Sequence, residues 1–494
     1  MASQPITIIT RIKARHGLET RVRRELRSLM DAAHGEKDGP ACELHVSRDD
    51  PSEFLLFERW PRGEGLDARL ARPHPTALRV WPEGLLAREP ETSLWEGLGS
   101  PSRSPQPAKA SSRRAARRPG TSEPACGRKL FEPARLAGLG IANRLVRSAT
   151  WEGLADEHGH VTPALIELYE NLALGGVGLI ITGHTHVSPE GQASRGQMSI
   201  HDDLARPGLK QLAQAVHAVG GRIALQLAHA GCAAARDITR LEPRGPSSLV
   251  LPGEPGPSCR EMSASEIRDT ALDFAKGAVR AKQAGFDAVQ VHAAHGYLLS
   301  QFLSPYFNKR VDEYGGSLEN RARFLLDVCQ LVRDALGDGF PLLVKLNAED
   351  FLEPGLSVDE MIEVSHRLKD LGVAAVELSG GTGHSGKLSP LRKGRIEKSG
   401  RQAYYARQAA RFKAEVGLPL ILVGGHRNPR QCERLLASGV ADFISMSRPL
   451  IREPHLPKRW RLGDETEAAC VSCNRCIVAA RDGKGLRCVA LEHG

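Results

Sequence analysis

The feature that most constrains the fold of this 494-residue chain is a series of eight short, β-rich apolar runs in its second part. They are RLVRSA (144–149), VGLIITG (177–183), RIALQLA (222–228), FDAVQVHA (286–293), PLLVKLN (341–347), AAVELSG (374–380), PLILVGG (419–425) and ADFISMS (441–447). Helical patterns separate most of them, such as LARPGLKQLAQAVHAVG and SVDEMIEVSHRLKDLG. Near-continuous apolar strands that alternate with helices are typical of a parallel barrel buried on both strand faces. We therefore predict an α/β fold, a (β/α)8 TIM barrel over residues 125–464.

The first hundred residues have a different pattern. PITIITRIKA is strand-like, GLETRVRRELRSLMDAAH has helical spacing, CELHVSR and EFLLFERW alternate as half-buried strands, and a helical GLDARLA precedes a strand-like ETSLWEG. This order predicts a small ferredoxin-like α+β domain over residues 1–100. ITIITRIKARHGLETRVRRELRSL and DDPSEFLLFERW resemble the antibiotic-biosynthesis monooxygenase family of small dimeric domains. The resemblance implies a dimerisation or helper role or, less favoured, an active oxygenase, since no motif marks a catalytic constellation.

The charge of the chain is concentrated between these two regions. Its formal net charge is +9, and much of it lies in SRSPQPAKASSRRAARRPG (102–120). A basic tract rich in Ser, Pro and Arg, without acids or aromatics, is typical of a solvated linker, which we place at residues 101–124; a docking or nucleic-acid patch is the alternative. Neither a secretory signal nor a membrane span is recognisable. We expect a cytoplasmic homo-oligomer without nucleic-acid or membrane partners.

Polar residues follow several of the barrel runs, where the carboxyl ends of the strands form the mouth of a barrel. Gly424 and Gly425 end the seventh run, and Ser447 and Arg448 end the eighth. Loops after these two strands commonly bind phosphate, because glycines expose backbone N–H groups and a guanidinium gives a forked contact. The sequence predicts a phosphate site here, with plain tight turns as the alternative.

Two further residues at the predicted mouth have side chains suited to a flavin. Gln226 offers a donor and an acceptor, and Lys345 offers a cation that would stabilise a reduced flavin. The structural alternatives are a hydrogen-bonded rim residue for Gln226, and an ion pair with Glu349 or Asp350 for Lys345.

The stretch HAAHGY follows the fourth run and contains His292, His295 and Tyr297. A metal site would require a regular helix and a third ligand, and the glycine makes helical geometry doubtful. Two neutral imidazoles can instead polarise a carbonyl or nitro oxygen while the phenol delivers a proton. We favour this catalytic interpretation over metal binding and over buried structural histidines.

Four of the ten cysteines lie close to the C-terminus, at residues 470, 473, 476 and 488. Without a secretion signal we do not expect disulfides, and the spacing C-x2-C-x2-C-x11-C suits the four ligands of a [4Fe–4S] cluster. We place this cysteine segment at residues 465–494. Zinc and free thiols are the alternatives.

The second part of the chain resembles the Old Yellow Enzyme class of NADH:flavin oxidoreductases. The resemblance rests on VHAAHGYLLSQFLSPYFNKRVDEYGGSLENRARFLLDV, with NRLVRSAT, GLIITG, LQLAHAG and VGGHRNP in the same order, and covers residues 129–494. It implies FMN as cofactor and NAD(P)H as electron donor. The FMN-binding residues that it implies are Ser148, Ala149, Thr150, Gly183, Gln226, Lys345, Gly424, Gly425, Ser447 and Arg448.

The same resemblance implies a reaction. His292 and His295 would bind the activating oxygen of an enone-like alkene, Tyr297 would be the proton donor, and a hydride would come from flavin N5. Two departures from the family pattern stand out. Trp151 takes the place where some relatives have Cys or Thr beside the flavin, which leaves redox tuning open, and the phosphate loop reads Ser447-Arg448 instead of Gly-Arg.

The terminal cysteines resemble the motif of the iron–sulfur branch, which includes 2,4-dienoyl-CoA reductase and trimethylamine dehydrogenase, and imply metal ligation by Cys470, Cys473, Cys476 and Cys488. No Gly-x-Gly-x-x-Gly motif follows them, so either NAD(P)H reduces FMN directly or the cluster exchanges electrons with a redox partner protein. Amine dehydrogenation is the enzymatic alternative. A non-redox lyase or isomerase that uses Lys345, with structural zinc, is the alternative of another class.

Overall fold

The fold is described from a computed structural model. It describes residues 6–15, 17–34, 41–47, 50–60, 85–88, 90–96, 129–250, 256, 258–394, 396 and 402–491. Two compact units comprise residues 1–118 and 119–494. The predicted linker and the predicted helix GLDARLA lie outside the described residues, so both stay predictions.

The N-terminal unit contains a four-stranded antiparallel sheet and one described helix. Its elements are β1 (Ile6–Lys13), α1 (Glu19–His34), β2 (Ala41–Val46), β3 (Glu53–Trp60) and β4 (Glu91–Glu96). The strand order is β2-β3-β1-β4. The apolar face of α1 packs on the sheet through Val22 and Leu26, which bury against Ile12 and Phe54. The predicted ferredoxin-like α+β arrangement is confirmed.

The second unit is a closed barrel of eight parallel strands. They are β7 (Leu145–Arg147), β8 (Leu179–His186), β9 (Ile223–Ala228), β12 (Ala288–Ala293), β13 (Leu342–Asn347), β14 (Ala375–Ser379), β15 (Leu420–Val423) and β16 (Phe443–Met446). Each lies within or overlaps one of the eight predicted runs, and consecutive barrel strands are neighbours around the closed circle. The predicted TIM barrel is confirmed.

Smaller strands and the helices complete this unit. The short strands are β5 (Ala134–Leu136), β6 (Leu139–Ile141), β10 (Arg244–Gly245) and β11 (Arg260–Glu261). The helices are α2 (Pro163–Leu174), α3 (Arg206–Ala218), α4 (Arg236–Thr239), α5 (Ala264–Gln283), α6 (Leu298–Leu303), α7 (Leu318–Leu336), α8 (Val358–Asp370), α9 (Ala406–Glu415), α10 (Pro429–Ala437), α11 (Arg448–Arg452), α12 (Leu456–Arg461) and α13 (Arg475–Arg481). Ser263 and Ser357 start α5 and α8 with capping boxes, in which a Glu three residues on bonds back to the cap.

The barrel interior is layered because every second residue of a strand points inward. An apolar floor closes the amino end of the strands. It contains Val146, Ile181, Ala224, Ala288, Leu343, Ala375, Ile421 and Phe443. Two residues further along, six of the eight strands have a polar residue, and the other two have Gly183 and Val423. The polar residues are Ser148, Gln226, Gln290, Lys345, Glu377 and Ser445. The sequence alternation therefore places a polar layer between an apolar floor and the mouth.

One prediction about the cysteines is wrong. Cys232 and Cys259 form a disulfide, although we expected none. Cys232 follows β9 and Cys259 precedes β11, and these two segments are brought together by the loops above the barrel. Their separation of 27 residues gives no sequence signal for the pairing. No described helix is long and apolar enough to cross a bilayer.

Candidate active site

A cavity of about 470 Å3 opens at the carboxyl ends of the barrel strands. This volume lies within the range typical of pockets for small molecules and cofactors. The predicted site residues that line it are Ser148, Ala149, Thr150, Gln226, His292, His295, Tyr297, Lys345, Gly425, Ser447 and Arg448. Folding therefore brings together residues from the ends of several different strands that are far apart in the chain.

Two predicted flavin-binding glycines do not line this cavity. The N–H of Gly183 donates to the carboxylate of Glu152 at 2.8 Å and to the hydroxyl of Tyr169 at 2.9 Å. A Cβ at residue 183 would collide with that carboxylate, so packing alone accounts for this glycine. Gly424 has a positive φ of 139°, and a Cβ there would press on the rings of Tyr404 and Tyr405.

The polar layer under the cavity is organised by an ion pair between Lys345 and Glu377. These residues are register partners on β13 and β14, and the Lys345 Nζ lies 2.9 Å from Glu377 Oε2. Their side chains are 3% and 0% exposed, so water contributes almost nothing to solvating either charge. The structural alternatives that we considered for Lys345, Glu349 and Asp350, are wrong. Asp350 instead accepts hydrogen bonds from Asn347 and from the N–H of Leu356.

Neutral side chains complete the solvation of this ion pair. Ser148 and Ser445 each donate to Glu377 Oε1 at 2.7 Å, and Gln290 donates to Oε2 at 3.0 Å. Burial raises the pKa of Glu377, but the charge of Lys345 and the two serine hydroxyls outweigh it, so the pKa lies below its usual value. Glu377 is thus a carboxylate in the barrel interior. Sequence reasoning missed it because its run, AVELS, was interpreted only as an apolar strand.

Gln226 is connected to the polar layer through Gln290. Its Nε2 donates to Gln290 Oε1 at 2.6 Å, and the two residues are register partners on β9 and β12. Since Gln226 also lines the cavity, it connects the buried ion pair to the space above it. Gln226 can therefore be a hydrogen-bonded residue of the barrel rim and still present its side chain to a bound cofactor.

The HAAHGY stretch turns sharply at the end of β12. His292 lies inside the strand, whereas His295 and Gly296 have positive φ angles of 66° and 79°. The ring centroids of His292 and His295 are 5.2 Å apart, as are those of His292 and Tyr297. Two consecutive left-handed residues exclude a helix here, so the expected departure from helical geometry is found. All three side chains face one cavity.

Both imidazoles of this stretch are neutral. Burial, the neighbouring histidines and the charge of Lys345 lower the pKa of His292 and of His295 well below 6.5. The Nε2 of His295 lies 2.7 Å from the hydroxyl of Ser379. The buried Nδ1 of His292 has no hydrogen-bond partner among the described residues. A buried, unsatisfied imidazole nitrogen at a cavity wall is a point where a ligand atom would be stabilised.

A third histidine, His184, faces the same cavity and was missed. Its ring lies 5.3 Å from that of Tyr297 between centroids, and Tyr297 Oη is 3.4 Å from His184 Nε2. The predicted second strand ended at Gly183, three residues before the observed end of β8 at His186. The strand continues through a bulge, since Ile181 pairs with Ala224 but His184 pairs with Gln226. The extra residue turns His184 to the inside of the barrel.

The cavity lining is also rich in guanidinium groups. Arg448, predicted for phosphate, donates from one nitrogen to the carbonyl of Arg392 and to Asn474 Oδ1, both at 2.7 Å. Ser447 and Thr150 share a hydrogen bond of 2.7 Å between hydroxyls. Arg427, which sequence reasoning missed, also lines the cavity and donates to the carbonyl of Cys470 at 2.9 Å. Gly425, which also lines the cavity, has a φ of 75°.

The four predicted metal-binding cysteines line one small pocket, together with Arg448 and Asn474. None of the four is in a disulfide. Ser472 and Asn474 adopt left-handed conformations between them, which curls the segment around the pocket. Burial raises the pKa of Cys473, but the N–H and guanidinium of Arg475 outweigh this and lower it. Within the described part of the chain, however, no three His, Cys, Asp or Glu side chains are already arranged around a common ion.

Arg448 connects the two pockets because it lines both of them. Trp151 does so through packing: it lines the cavity and contacts the small apolar cluster that contains Cys476, Ile477 and Leu486. The cysteine pocket is therefore next to the cavity wall that was predicted to bind phosphate.

Comparison with known proteins identifies this arrangement. Residues 129–467 match the model of the NADH:flavin oxidoreductase / NADH oxidase family. The chain belongs to this family. Residues 5–79 match the antibiotic biosynthesis monooxygenase model. Both predicted resemblances are confirmed, and with them an FMN-dependent oxidoreductase at the level of the family.

Two curated relatives and one solved structure illustrate the similarity. It is 37% identical to an NADH oxidase of Thermoanaerobacter brockii over 72% of this chain and 54% of the relative. It is 36% identical to an NADPH dehydrogenase of Bacillus licheniformis over 67% of this chain and 93% of the relative. A solved 2-naphthoyl-CoA reductase complex is similar with a TM-score of 0.68 and 29% identity, over 73% of this chain and 56% of that one. The chain thus spans about half the length of the NADH oxidase.

The buried ion pair gives a testable consequence for stability. Glu377→Gln leaves the ammonium of Lys345 buried without its counter-charge, so we expect the free energy of unfolding to fall by about 3–5 kcal/mol in chemical denaturation. The matched control is Glu415→Gln, which breaks the pair of Arg411 and Glu415, whose side chains are both 42% exposed. That change should lower the free energy of unfolding by less than about 1 kcal/mol. Equal losses in the two variants would contradict the structural role of the buried pair.

Proposed function

We propose that this protein is an FMN-dependent NAD(P)H oxidoreductase that reduces alkenes activated by a neighbouring carbonyl or nitro group. The main observation behind the proposal is that the neutral imidazoles of His292 and His295 and the phenol of Tyr297 line one cavity. The ion pair of Lys345 and Glu377 lies directly below that cavity. The relatives described as NADH oxidase and NADPH dehydrogenase support the use of a nicotinamide, and the structure described as 2-naphthoyl-CoA reductase supports a reductive reaction.

The residues present suit FMN. Ser148, Ala149, Thr150, Gln226 and Lys345 would hold the ring system, and Gly425, Ser447 and Arg448 would hold the phosphate, with Gly183 and Gly424 shaping the wall behind them. The unsatisfied, buried Nε1 of Trp151 and Nδ1 of His292 are donor or acceptor sites that a ligand in this cavity could satisfy. When bound, FMN would supply the two-electron chemistry that links oxidation of NAD(P)H to reduction of the substrate.

His292 and His295 would bind the activating oxygen of the substrate. Because both are neutral, each can present one N–H without repelling the adjacent Lys345. The Ser379 hydroxyl can donate to Nε2 of His295, which keeps the N–H of that ring on Nδ1. Two such donors stabilise negative charge that develops on the oxygen during reduction.

Tyr297 would be the proton donor. Burial raises the pKa of its phenol to about 12, partly offset by the charge of Arg481. The group therefore stays protonated across the physiological pH range and is available as an acid. In the reaction, the phenolic O–H bond breaks, a C–H bond forms at the carbanionic carbon, and the phenolate later takes a proton from water.

Cys470, Cys473, Cys476 and Cys488 would hold a [4Fe–4S] cluster. The support is the shared pocket, the free thiols and the spacing of three close ligands and one remote ligand. Zinc binding is the competing outcome, because four thiolates can also bind that ion.

Replacement of Tyr297 tests the reaction. We expect Tyr297→Phe to slow reoxidation of the reduced enzyme by 2-cyclohexenone by about 100-fold or more, because the general acid is lost. Reduction of the same variant by NADH and by NADPH should change far less, since it requires no proton donor to carbon. Both half-reactions can be followed anaerobically by flavin absorbance.

Three outcomes would contradict the proposed reaction. Equal slowing of both half-reactions would exclude Tyr297 as the specific acid. Reduction of the flavin by amines, without reoxidation by any of a panel of enones, would favour amine dehydrogenation instead. A colourless protein without flavin would support the non-redox alternative.

Replacement of Cys473 tests the metal site. We expect Cys473→Ser to lose iron and acid-labile sulfide while FMN remains bound, because a cubane needs all four ligands. Cys432→Ala is the control, since Cys432 is buried in α10 and does not line the cysteine pocket. Stoichiometric zinc in the parent protein, or unchanged iron in Cys473→Ser, would contradict the cluster.

The N-terminal unit is proposed to be a dimerisation module. Deletion of residues 1–124 should then lower the oligomeric mass measured by light scattering and leave the range of reduced substrates unchanged. A changed substrate range at unchanged mass would instead indicate that this unit delivers or oxidises a ligand.

A further inference from the structure

The additional histidine of the cavity, His184, is fixed in one tautomer by a buried glutamine. Gln197 Nε2 lies 2.8 Å from His184 Nδ1. The other end of the Gln197 amide, Oε1, accepts the backbone N–H of Ala193 at 2.7 Å. A backbone N–H can only donate, so the amide oxygen must face Ala193 and the amide NH2 must face His184. Gln197 is 1% exposed, and this orientation is therefore held by the protein interior.

This orientation determines where the proton of His184 lies. Nδ1 accepts the hydrogen bond from Gln197 and carries no proton. Burial, helped by the neighbouring His186, lowers the pKa of His184 to about 4, so the ring is neutral and has one N–H. That N–H must be on Nε2, the atom 3.4 Å from Tyr297 Oη. At 3.4 Å this is a long hydrogen bond.

The hydrogen bond between His184 and Tyr297 therefore has a defined direction. His184 donates and the phenol oxygen accepts, so the phenolic hydrogen is free to point elsewhere in the cavity. The same donor would bind more strongly to the phenolate that remains once the proton has left, because hydrogen bonds to charged acceptors are the stronger ones. His184 cannot pass a proton onward, since its Nδ1 faces an amide NH2 that does not ionise.

We propose that His184, oriented by Gln197, is a positioning residue that directs the acidic hydrogen of Tyr297 towards substrate and stabilises the phenolate formed. The bulge in β8 makes this role possible, because it places His184 opposite Gln226 at the cavity wall. This inference rests on the proposed acid role of Tyr297 and adds the residues that make a phenol with a high pKa effective.

A double-mutant cycle tests the proposal in the FMN-loaded full-length chain. His184→Leu should slow reoxidation by 2-cyclohexenone by about 10- to 100-fold, the range expected when a hydrogen bond to a charged group is lost. In the Tyr297→Phe background the same substitution should have almost no further effect, because the phenol on which it acts is absent. His184→Gln, which retains an N–H donor, should recover much of the rate. The solvent deuterium isotope effect should increase in His184→Leu as proton transfer becomes slower.

If His184→Leu binds FMN poorly, Gln197→Met can be used instead to measure the coupling between His184 and Tyr297. It removes the amide that fixes the tautomer and leaves His184 in place, so a smaller slowing is expected, again only when Tyr297 is present. Equal slowing in the parent and in the Tyr297→Phe background, or no slowing in either, would overturn the role of His184. A Tyr297→Phe enzyme as fast as its parent would instead overturn the acid role itself, so the two failures are distinguishable.

Discussion

The candidate site depends on one buried interaction, the ion pair of Lys345 and Glu377 in the middle of the barrel. Transferring two charges out of water is costly, and the cost is offset only when geometry is good and the remaining hydrogen-bonding capacity is satisfied. Ser148, Ser445 and Gln290 provide this by bonding to the carboxylate. The strands that carry these groups are consequently held in one register relative to each other. The pair thus links the packing of the barrel to the shape of the cavity above it.

The same pair affects the chemistry of the cavity. A lone lysine beside a flavin would favour the reduced, negatively charged ring. Glu377 places a carboxylate 2.9 Å from the ammonium, so much of that positive charge is compensated below the cavity. Lys345 still contributes to keeping His292 and His295 neutral. Neutral imidazoles can each donate one N–H, so the ion pair and the oxygen-binding pair are electrostatically compatible.

Much of this organisation could be predicted from the sequence because it follows from a period of two. Alternation along each strand takes Ala224 to Gln226, Leu343 to Lys345 and Phe443 to Ser445, from apolar floor to polar layer. The positions of strand ends then indicated which residues would meet. Glu377 follows Ala375 by the same alternation but was missed because its run was interpreted only as an apolar strand, and its pairing with Lys345 appears only in the strand register. The disulfide of Cys232 and Cys259 was missed because loop packing creates it.

His184 shows the limit of such reasoning most clearly. A single extra residue at the bulge reverses which side chains face inward. The only cue in LIITGHTH is Gly183, and a glycine within a strand pattern suggests a bulge without fixing its register. The partner that defines its proton, Gln197, lies thirteen positions away in irregular structure and is oriented by a backbone group. Tautomer control of this kind depends on three-dimensional geometry alone. The strand pattern locates the end of β12, after which the acid Tyr297 follows, whereas the direction in which Tyr297 donates its proton is set by contacts outside that pattern.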